Sequence, residues 1–253
     1  MISAGIDIGS RTVKLVVIED GELCASSKRE NTFDPLGVCR ELLAEWKCDT
    51  ITATGYGRHL FAKHNSCAVI SEIKAFALGA RTVFPNCQTL LDIGGQDIKV
   101  ISLDQRGQVR KFEMNDKCSA GTGRFLEIMA MALGCNMDEF SALASVAESS
   151  EKINSMCTVF AESEVISLLA RGAKREDVAL GIHQSIVNRA KSMMGRIDIT
   201  EELVFLGGVA LNPCVVTLLQ NSLQRGVLVP ADPQSTGALG CALYGAACKG
   251  SEI

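Results

Sequence analysis

Two stretches of the chain share one pattern of apolar and polar positions. They are "IDIGSRTVKLVVIED" at residues 6–20 and "LDIGGQDIKVISLDQ" at residues 91–105, which align at an offset of 85 residues. In each, an apolar run ends in an aspartate, a glycine-containing turn follows, and a second apolar run begins. Each stretch predicts a β-hairpin, and the repeat predicts two related α/β lobes. Three chemically useful residues are identical in both copies: Asp7 and Asp92, Gly9 and Gly94, and Lys14 and Lys99.

Two matched hairpins of this kind indicate a ligand. Backbone N–H groups at glycine turns suit phosphate oxygens, and an aspartate at each strand end suits Mg²⁺ or its waters. A single Asp-x-Gly turn is also an ordinary hairpin turn, so the second copy carries the argument. The P-loop signature is absent, and no GxGxxG follows a strand. A P-loop NTPase is therefore excluded, and a Rossmann dinucleotide site is not expected.

A third apolar run changes into a helical pattern. In "LVFLGGVALNPCVVTLLQNSL" (203–223), a strand-like run meets Gly207 and Gly208, and a helix is predicted to begin near Asn212 and Pro213. The Gly-Gly turn leaves room for a flat base or a ribose. An ordinary tight loop between a strand and a helix explains the same residues, so this segment alone decides nothing.

Two cysteines each stand before a run with helical periodicity. Cys118 lies in "NDKCSAGTGRF" (115–125) and Cys157 in "CTVFAESEVISLL" (157–169). The apolar positions that recur at helical spacing are Phe125, Ile128, Met129 and Ala132 after the first cysteine, and Val159, Val165, Leu168 and Leu169 after the second, with Gly172 as the expected C-cap. Both thiolates are therefore expected near helix N-termini, whose N–H groups and dipole favour negative charge.

That setting suits a reactive thiolate and equally an anionic iron–sulfur cluster. A nucleophilic cysteine needs a base, and the histidines His59, His64 and His183 lie in no recognisable catalytic context. His183, inside a helical segment, is expected to be partly exposed. The metal-ligand interpretation is therefore favoured over the nucleophile.

The chain has eleven cysteines, and no two are separated by only two residues. The odd number argues against a disulfide framework, and the spacing excludes a zinc ribbon or a ferredoxin-type cluster within one chain. Most of these thiols are expected to be small buried hydrophobic groups. A metal site shared between two chains stays possible.

Composition and charge narrow the classes of partner. The formal net charge is −4, 47% of the residues are hydrophobic, and no run of basic residues occurs. Neither nucleic acid nor a membrane surface is therefore expected as a partner. The N-terminal stretch meets Asp7 too early for a signal peptide, and no apolar stretch reaches the roughly 18 residues of a membrane span. A cytoplasmic location is expected.

The hairpins at 7–14 and 92–99 and the strand–turn–helix at 207–212 together resemble the phosphate-1, phosphate-2 and adenosine motifs of the acetate/sugar kinase, Hsp70 and actin superfamily. This resemblance implies an α/β fold of duplicated ribonuclease-H-like lobes with a nucleotide cleft between them. Further segments are similar to ATP-dependent activators of 2-hydroxyacyl-CoA dehydratases and benzoyl-CoA-reductase-like enzymes: "TATGYGR" (52–58), "LLDIGGQDIKVI" (90–101), "NDKCSAGTGRFLE" (115–127), "CTVFAESEVISLL" (157–169), "FLGGVALN" (205–212) and "DPQSTGALGCALYG" (232–245). The similarity covers essentially the whole chain.

The resemblance implies a homodimer that holds one [4Fe–4S] cluster at its interface. ATP hydrolysis would then drive low-potential electron transfer into a partner reductase or 2-hydroxyacyl-CoA dehydratase, with ferredoxin or flavodoxin as an upstream donor. Cys118 and Cys157 are the implied ligands. A cubane needs four thiolates, and a two-fold dimer supplies two from each chain.

The motifs also imply roles at the nucleotide. The first phosphate loop would comprise Asp7, Gly9, Ser10, Arg11 and Lys14, and the second Asp92, Gly94, Gly95 and Gln96. Asp7 and Asp92 would hold Mg²⁺ through water, and Gln96 would orient the attacking water; the alternative for Gln96 is a turn residue that faces solvent. Residues implied on the adenosine and ribose side are Gly207, Gly208, Asn212, Gln234, Gly237 and Glu162, with Glu164 as an alternative to Glu162. For both glutamates, a helix-start role is an equally good interpretation.

Two positions depart from the family pattern. After "SEI" (71–73), family members often carry a Cys-His pair, whereas this chain has Ala75 and Phe76. That difference leaves the subfamily, and therefore the partner enzyme, undetermined. Cys241 stands where the family usually has a small residue, and it is interpreted as a buried thiol.

The expected lobe boundary separates residues 1–88, with the first hairpin, from residues 89–253, with the second hairpin, the cluster cysteines and the adenosine motif. The last helix, predicted at 235–249, is rich in small residues and is expected to pack back on the first lobe. Two other functions stay open, a small-molecule kinase of the same superfamily and a non-enzymatic ATP or redox switch. The sequence shows neither an insertion for a sugar pocket nor a regulatory segment, which disfavours both.

Overall fold

A computed structural model describes residues 1–155, 157–197, 199 and 202–250. The chain divides into two compact units. The first comprises Met1–Gln88, Leu103–Arg110 and Pro230–Ile253, and the second comprises Thr89–Ser102 and Lys111–Val229. The first unit is thus built from segments on both sides of the second along the chain. Within the described part of the chain, no helix is both long enough and apolar enough to cross a membrane.

The strands and helices form two successive series along the chain, one for each copy of the repeat. The first series is β1 (Ile2–Ile8), β2 (Thr12–Glu19), β3 (Glu22–Glu30), α1 (Pro35–Leu43), β4 (Thr50–Thr54), α2 (Arg58–His64), β5 (Ala68–Val69) and α3 (Glu72–Val83). The second is β6 (Thr89–Ile93), β7 (Ile98–Leu103), β8 (Val109–Asn115), α4 (Gly123–Ala132), α5 (Met137–Ser145), α6 (Thr158–Ala170), α7 (Arg175–Met194), β9 (Leu203–Leu206), a 3₁₀ turn (Gly208–Leu211), α8 (Pro213–Leu223), β10 (Val227–Leu228) and α9 (Thr236–Gly250).

The two sheets have the same topology. Their strand orders are β3-β2-β1-β4-β5 and β8-β7-β6-β9-β10. In each, a hairpin of antiparallel strands is extended by a parallel strand, β4 beside β1 and β9 beside β6. Asp7 lies opposite Lys14, and Asp92 lies opposite Lys99, so the repeated residues occupy equivalent places in the register. The predicted hairpins and the predicted duplicated α/β fold are confirmed.

One face of the first sheet is covered by α1 and α2. Alternate residues of β1, among them Ile6 and Ile8, share an apolar cluster with Val38 and Leu42 of α1 and with Phe61 of α2. This is the two-residue period of a strand whose side chains point to opposite faces. The aspartate at position 7 therefore points away from this cluster.

The other face of the first sheet lies against α9 at backbone distance. A Cβ atom on Gly5 would lie 1.9 Å from the carbonyl oxygen of Ala238, and one on Gly240 would lie 1.9 Å from that of Ala75 in α3. Such approaches leave no room for a side chain. The small residues of α9 are therefore required by its contacts with β1 and α3.

The second unit has one large apolar core between its sheet and helices α4 to α8. Phe125 and Met129 of α4 are buried in it, and Ile128 and Ala132 are partly buried against it, as their helical spacing predicts. Burial of Phe125 and Met129 removes two large side chains from water, at about 1.5–3 kcal/mol each. This core holds α4 firmly over the sheet.

Helix α6 departs from the predicted pattern. Val165 and Ala161 are buried, but Val159 is 67% exposed and Phe160 is 68% exposed, so the expectation that Val159 packs inward is wrong. Apolar residues occur on most sides of α6, and periodicity therefore does not single out its buried face. Gly172 lies just beyond the C-cap and takes φ +90°, as expected for a glycine that ends a helix.

His183 is fully buried, which corrects the expectation of a partly exposed residue. On α7 its ring lies against Phe140 with the ring centres 4.4 Å apart. Nδ1 is 2.8 Å from the Ala179 carbonyl oxygen, and Nε2 is 3.1 Å from Asn212 Nδ2. Because the carbonyl only accepts and the amide nitrogen only donates, the ring is neutral with its proton on Nδ1. Asn212 also caps α8, as its Oδ1 accepts from the Val215 N–H at 3.1 Å. Sequence periodicity registers a polar residue but not the partners that permit its burial.

Burial should make folding depend on pH through His183. It lowers the pKa of His183 below the ordinary value of about 6.5, because a charged ring would lose its hydration. As the pH falls below about 6.5, the unfolded chain takes up a proton that the folded chain does not, and the free energy of unfolding decreases. Thermal unfolding from about pH 8 down to about pH 5 should show a falling midpoint in the wild type and a flatter profile in His183→Gln. The exposed His64 gives the control His64→Gln, which should keep the wild-type slope; equal slopes in all three proteins would contradict a buried neutral ring.

Candidate functional site

The turn of the first hairpin is braced by an ion pair. Asp7 is 5% exposed, and its Oδ2 lies 3.2 Å from Lys14 Nζ on the facing strand. The Gly9 N–H donates to the Thr12 carbonyl at 3.1 Å and closes the turn. Asn31, just after β3, donates from its side chain to the Gly9 carbonyl at 2.7 Å. The predicted phosphate residues at the exposed tip of this turn are Ser10 and Arg11.

Main chain and a helix N-terminus lie close to the Asp7 carboxylate. Gly55, directly after β4, has φ +86°, and a Cβ there would lie 2.5 Å from Asp7 Oδ1. A Cβ on Gly237, in the first turn of α9, would lie 3.6 Å from Asp7 Oδ2. N–H groups and the dipole at a helix start favour anions. The structure thus places the predicted Gly237 beside Asp7 and adds Gly55, which the sequence did not single out.

The second hairpin carries two carboxylates on one lysine. Lys99 is 2% exposed, and its Nζ lies 3.1 Å from Asp92 Oδ2 and 2.7 Å from Asp97 Oδ2. The Gly94 N–H donates to the Asp97 carbonyl at 3.0 Å, which repeats the closure of the first turn. Two carboxylates on one ammonium leave this turn more negative than the first, and that charge suits a divalent cation.

Asp97 is a candidate that sequence reasoning missed. It aligns with Thr12 in the repeat, so comparison of the two copies gave it no weight. The available signal was its position two residues before Lys99, since residues i and i+2 of a strand lie on one face. An acid and a base on that face predict a contact.

A glycine faces the second aspartate as Gly55 faces the first. Gly207, directly after β9, has φ +85°, and a Cβ there would lie 2.6 Å from Asp92 Oδ1 and 2.4 Å from the Ile93 carbonyl oxygen. Gly208 then begins the 3₁₀ turn, and Asn212 ends it. Because the Asn212 side chain caps α8 and contacts His183, it fixes the shape of this loop.

The other predicted nucleotide residues lie on the surfaces of their own elements. Gln96 is exposed at the tip of the second turn, beside the half-buried Gly95. Gln234, just before α9, accepts a hydrogen bond from Lys28 through Oε1. Glu162 is exposed on α6. Their proposed contacts with nucleotide stay predictions.

Glu164 anchors the loop that leads to Cys157. Its carboxylate accepts from the backbone N–H of Asn154 at 3.0 Å and of Ser155 at 2.8 Å. Burial alone raises the pKa of Glu164, but hydrogen bonds from Ser155 and Asn154 outweigh it and hold the pKa at about 2. Glu164 is therefore ionised and engaged with its own chain.

The loops of the two candidate ligand cysteines touch each other. Cys157 is the exposed N-cap of α6, and Cys118 is half-buried, with its carbonyl accepting from Asn115 Nδ2 at 2.9 Å. Their neighbours Ser119 and Thr158 are joined by their hydroxyl oxygens, 3.1 Å apart. The structure thus brings the loops of Cys118 and Cys157 into contact through these two neighbours. Across the residues that the structure describes, no group of three or more His, Cys, Asp or Glu side chains is placed to hold a metal.

The Gly-Thr-Gly segment docks α4 on the second hairpin turn. The N–H groups of Gly123 and Arg124 donate to the carbonyls of Gly94 and Gly95, each at 2.9 Å. These first two amides of α4 are therefore engaged by the turn and not available to Cys118. The segment instead ties the cysteine loop to the turn.

Four of the eleven cysteines, Cys39, Cys87, Cys214 and Cys241, are buried, so the expectation that most of these thiols are buried is wrong. Burial raises the pKa of Cys39 to about 12 and that of Cys87 and Cys214 to about 11. Cys241 has no exposed surface, and burial raises its pKa strongly, which confirms its interpretation as a buried thiol. Such thiols are inert at neutral pH.

Comparisons with known proteins show which families and structures the chain is similar to. Residues 4–245 match the model of the BadF/BadG/BcrA/BcrD ATPase family. Over 96% of its length the chain is 40% identical to the activator of lactoyl-CoA dehydratase from Anaerotignum propionicum, of which it covers 97%. It superposes with a TM-score of 0.91 on the activator of 2-hydroxyisocaproyl-CoA dehydratase from Clostridium difficile with bound ADPNP, at 38% identity, covering all of this chain and 98% of that one. The (R)-2-hydroxyglutaryl-CoA dehydratase component A from Acidaminococcus fermentans also superposes with a TM-score of 0.91, at 37% identity and 99% coverage of both chains.

More distant structures share the fold alone. A ROK family glucokinase from Streptomyces griseus superposes with a TM-score of 0.63 at 10% identity, covering 98% of this chain and all of that one. The duplicated sheets are therefore common to sugar kinases and to this chain.

The glycine that faces Asp92 should be intolerant of any side chain. Gly207→Ala would combine the cost of a backbone conformation that essentially only glycine adopts (φ +85°, ψ 179°), about 1–3 kcal/mol, with a Cβ 2.4 Å from the Ile93 carbonyl oxygen. Gly134→Ala is the matched control, since Gly134 has φ +65° and nothing lies within 4 Å of the added atom. Urea unfolding should rank stability as wild type, then Gly134→Ala, then Gly207→Ala. Equal losses of stability in the two variants would contradict the prediction and would mean that the backbone at the end of β6 shifts easily to make room for the added Cβ.

Proposed function

The chain belongs to the BadF/BadG/BcrA/BcrD ATPase family, and we propose that it is a homodimeric [4Fe–4S] ATPase that activates a 2-hydroxyacyl-CoA dehydratase or a related reductase. ATP hydrolysis is coupled to low-potential electron transfer into that enzyme. The family and the ADPNP-bound activator that the chain resembles support the ATPase part. The observation that carries the iron–sulfur part is the contact between the loops of Cys118 and Cys157.

The phosphates of ATP bind at the hairpin turns in this proposal. Lys14 Nζ reaches the first turn, because it would lie 3.2 Å from a Cβ on Gly9. The backbone amides of Ser10 and Arg11 at the exposed tip are oriented for oxygen ligands by the closed turn. In the second turn, Gly94 and Gly95 allow the main chain to approach a ligand closely.

Asp7 and Asp92 are the residues that would hold Mg²⁺ through water, each at its own hairpin turn, and Asp97 is a further candidate at the second turn. The second turn has two carboxylates for one ammonium, so it retains negative charge for a cation. Gln96 orients the attacking water from the tip of the same turn. A side-chain amide positions a water without deprotonating it, which suits slow, gated hydrolysis.

The adenosine side of the site uses the loop after β9. Gly207 and Gly208 leave space for the base and ribose, and Asn212 holds the loop through its cap on α8 and its contact with His183. Glu162 is the proposed ribose contact. Gln234 and Gly237 contribute from the start of α9.

Cys118 and Cys157 would hold the cluster together with the same two residues of a second copy, since a cubane takes four thiolates. When bound, the cluster supplies a one-electron carrier of low potential. The chain's own residues determine how the thiols are presented. Glu164 fixes the loop before Cys157, and Asn115 fixes the loop of Cys118.

The exposed side of α6 supports the dimer. Val159, Phe160 and Ile166 are 67%, 68% and 54% exposed, and they follow Cys157 on the same helix. Large apolar side chains that are exposed to water on one helix are typical of an interaction surface. A second copy that contributes its own Cys157 to the iron–sulfur cluster would cover these residues.

The partner is an iron–sulfur acceptor enzyme in the cytoplasm. Two relatives are named as activators of lactoyl-CoA dehydratase and of 2-hydroxyisocaproyl-CoA dehydratase, which supports an acceptor enzyme of that class. A ferredoxin or flavodoxin is the proposed upstream donor. Neither nucleic acid nor a membrane has a role in this proposal.

Iron content tests the cluster directly. Anaerobically purified protein should be a brown dimer with about four irons per dimer. Cys118→Ala and Cys157→Ala should each abolish the colour, whereas Cys248→Ala, at another exposed cysteine, should retain it. Metal analysis combined with size-exclusion chromatography provides the measurement. A colourless, iron-free wild type that phosphorylates a small metabolite would favour the kinase alternative.

The role of Gln96 separates hydrolysis from cluster binding. Gln96→Ala should slow ATP hydrolysis by about 10²-fold, because the attacking water loses its orientation. The iron content should be unchanged. Gln105→Ala, in the exposed turn at the other end of β7, is the matched control and should hydrolyse ATP at the wild-type rate. Joint loss of activity and iron in Gln96→Ala would make Gln96 a structural residue.

A further inference from the structure

A hydroxyl pair joins the two cysteine loops within one chain. Ser119 directly follows Cys118, and Thr158 directly follows Cys157; their hydroxyl oxygens are 3.1 Å apart. Thr158 is 8% exposed and Ser119 is half-buried, so water competes little for this bond. We call the pair of Ser119 and Thr158 the hydroxyl clasp.

The clasp continues into the second hairpin turn through main-chain hydrogen bonds. Thr122 Oγ1 donates to the Ser119 carbonyl at 2.6 Å, and the Thr122 N–H donates to the same carbonyl at 3.1 Å. The next two amides, of Gly123 and Arg124, donate to the carbonyls of the turn at Gly94 and Gly95. The Cys118 loop is therefore attached to the turn by short, successive bonds.

Cys157 is attached differently. It is the exposed N-cap of α6, without a side-chain cap bond of its own, and Glu164 holds the loop before it. These hydrogen bonds are local to α6, while Ala161 and Val165 of the same helix pack in the core with Phe125 of α4. The clasp connects this helix start with the loop that is bonded to the turn.

We infer that Ser119 and Thr158 are positioning residues that carry movements of the Gly94–Gly95 turn to Cys157. The inference rests on the proposed function in taking this turn as a phosphate site and the two cysteines as cluster ligands. When nucleotide shifts the turn, Cys118 follows through the main chain, and Cys157 follows through the clasp. The two thiols then move together, which keeps their spacing constant for a shared ligand.

The test uses iron-free protein, so that it does not depend on a loaded cluster. The rates at which Cys118 and Cys157 are alkylated are measured separately by mass spectrometry, with and without the non-hydrolysable analogue ADPNP. In the wild type both rates should respond to ADPNP. In the wild type, ADPNP should change the alkylation rate of Cys157 about fivefold, the factor that one neutral hydrogen bond contributes. In Ser119→Ala and Thr158→Val this change should vanish, whereas the response of Cys118 should persist.

Conservative variants and a matched control separate positioning from folding. Ser119→Thr and Thr158→Ser keep a hydroxyl at each position and should restore the response of Cys157. Ser185→Ala removes a hydroxyl that bonds only within α7, to the Ile182 carbonyl at 2.7 Å, and should behave as the wild type. Circular dichroism checks that every variant is folded.

The outcomes distinguish this inference from the proposed function. A Cys157 response that survives in both Ser119→Ala and Thr158→Val overturns the clasp, as does a wild type in which ADPNP alters neither cysteine. Reconstitution of the same preparations with iron and sulfide tests the cluster independently. A wild type that takes up no iron refutes the proposed function, while the alkylation result still decides whether the clasp transmits the movement.

Discussion

The burial of the Lys99 ammonium is the constraint on which the second unit depends. A charge with 2% exposure is tolerated only when carboxylates replace its water, and Asp92 and Asp97 do so. Their positions fix the register of β6 against β7 and the shape of the turn between them. The carboxylate of Asp92 then lies against the backbone directly after β9. Position 207 must therefore be glycine, because a Cβ there would meet this carboxylate. The carbonyl groups of this hairpin turn also accept hydrogen bonds from the first two backbone N–H groups of α4.

The sequence predicted the features that repeat, and it failed where contacts with residues distant in sequence determine burial. The two hairpins were predictable because aspartate, glycine and lysine recur at one offset and lie between apolar runs. The start of α8 at Pro213 was predictable from its cap and proline signals. His183 was misplaced, because a polar ring is buried only when groups distant in sequence, such as Asn212, satisfy it. Glu162 and Glu164 are equivalent in sequence, and only the contacts of Glu164 with Asn154 and Ser155 separate them.

The two halves of the duplication have diverged at one point. Between the third and fourth strands the first half has only α1, whereas the second half has α4 to α7. Both cysteine loops lie in this longer insertion. The parts common to both halves supply matched Asp–Lys turns, which suit phosphate chemistry in either copy. The insertion carries the two cysteines proposed as cluster ligands, and the sheets of the two halves keep the same strand order.

The close packing of α9 on β1 has a consequence for the order in which the protein forms. During synthesis, β1 to β5 emerge first, but the helix that touches Gly5 through its backbone emerges after the whole of the second unit. Until then, one face of the first sheet lacks its cover and exposes the residues that α9 will bury. The second unit, by contrast, has its complete set of strands and helices before α9 is made. Domains fold as units as their residues become available, so the later half of this duplicated chain is able to mature before the earlier half.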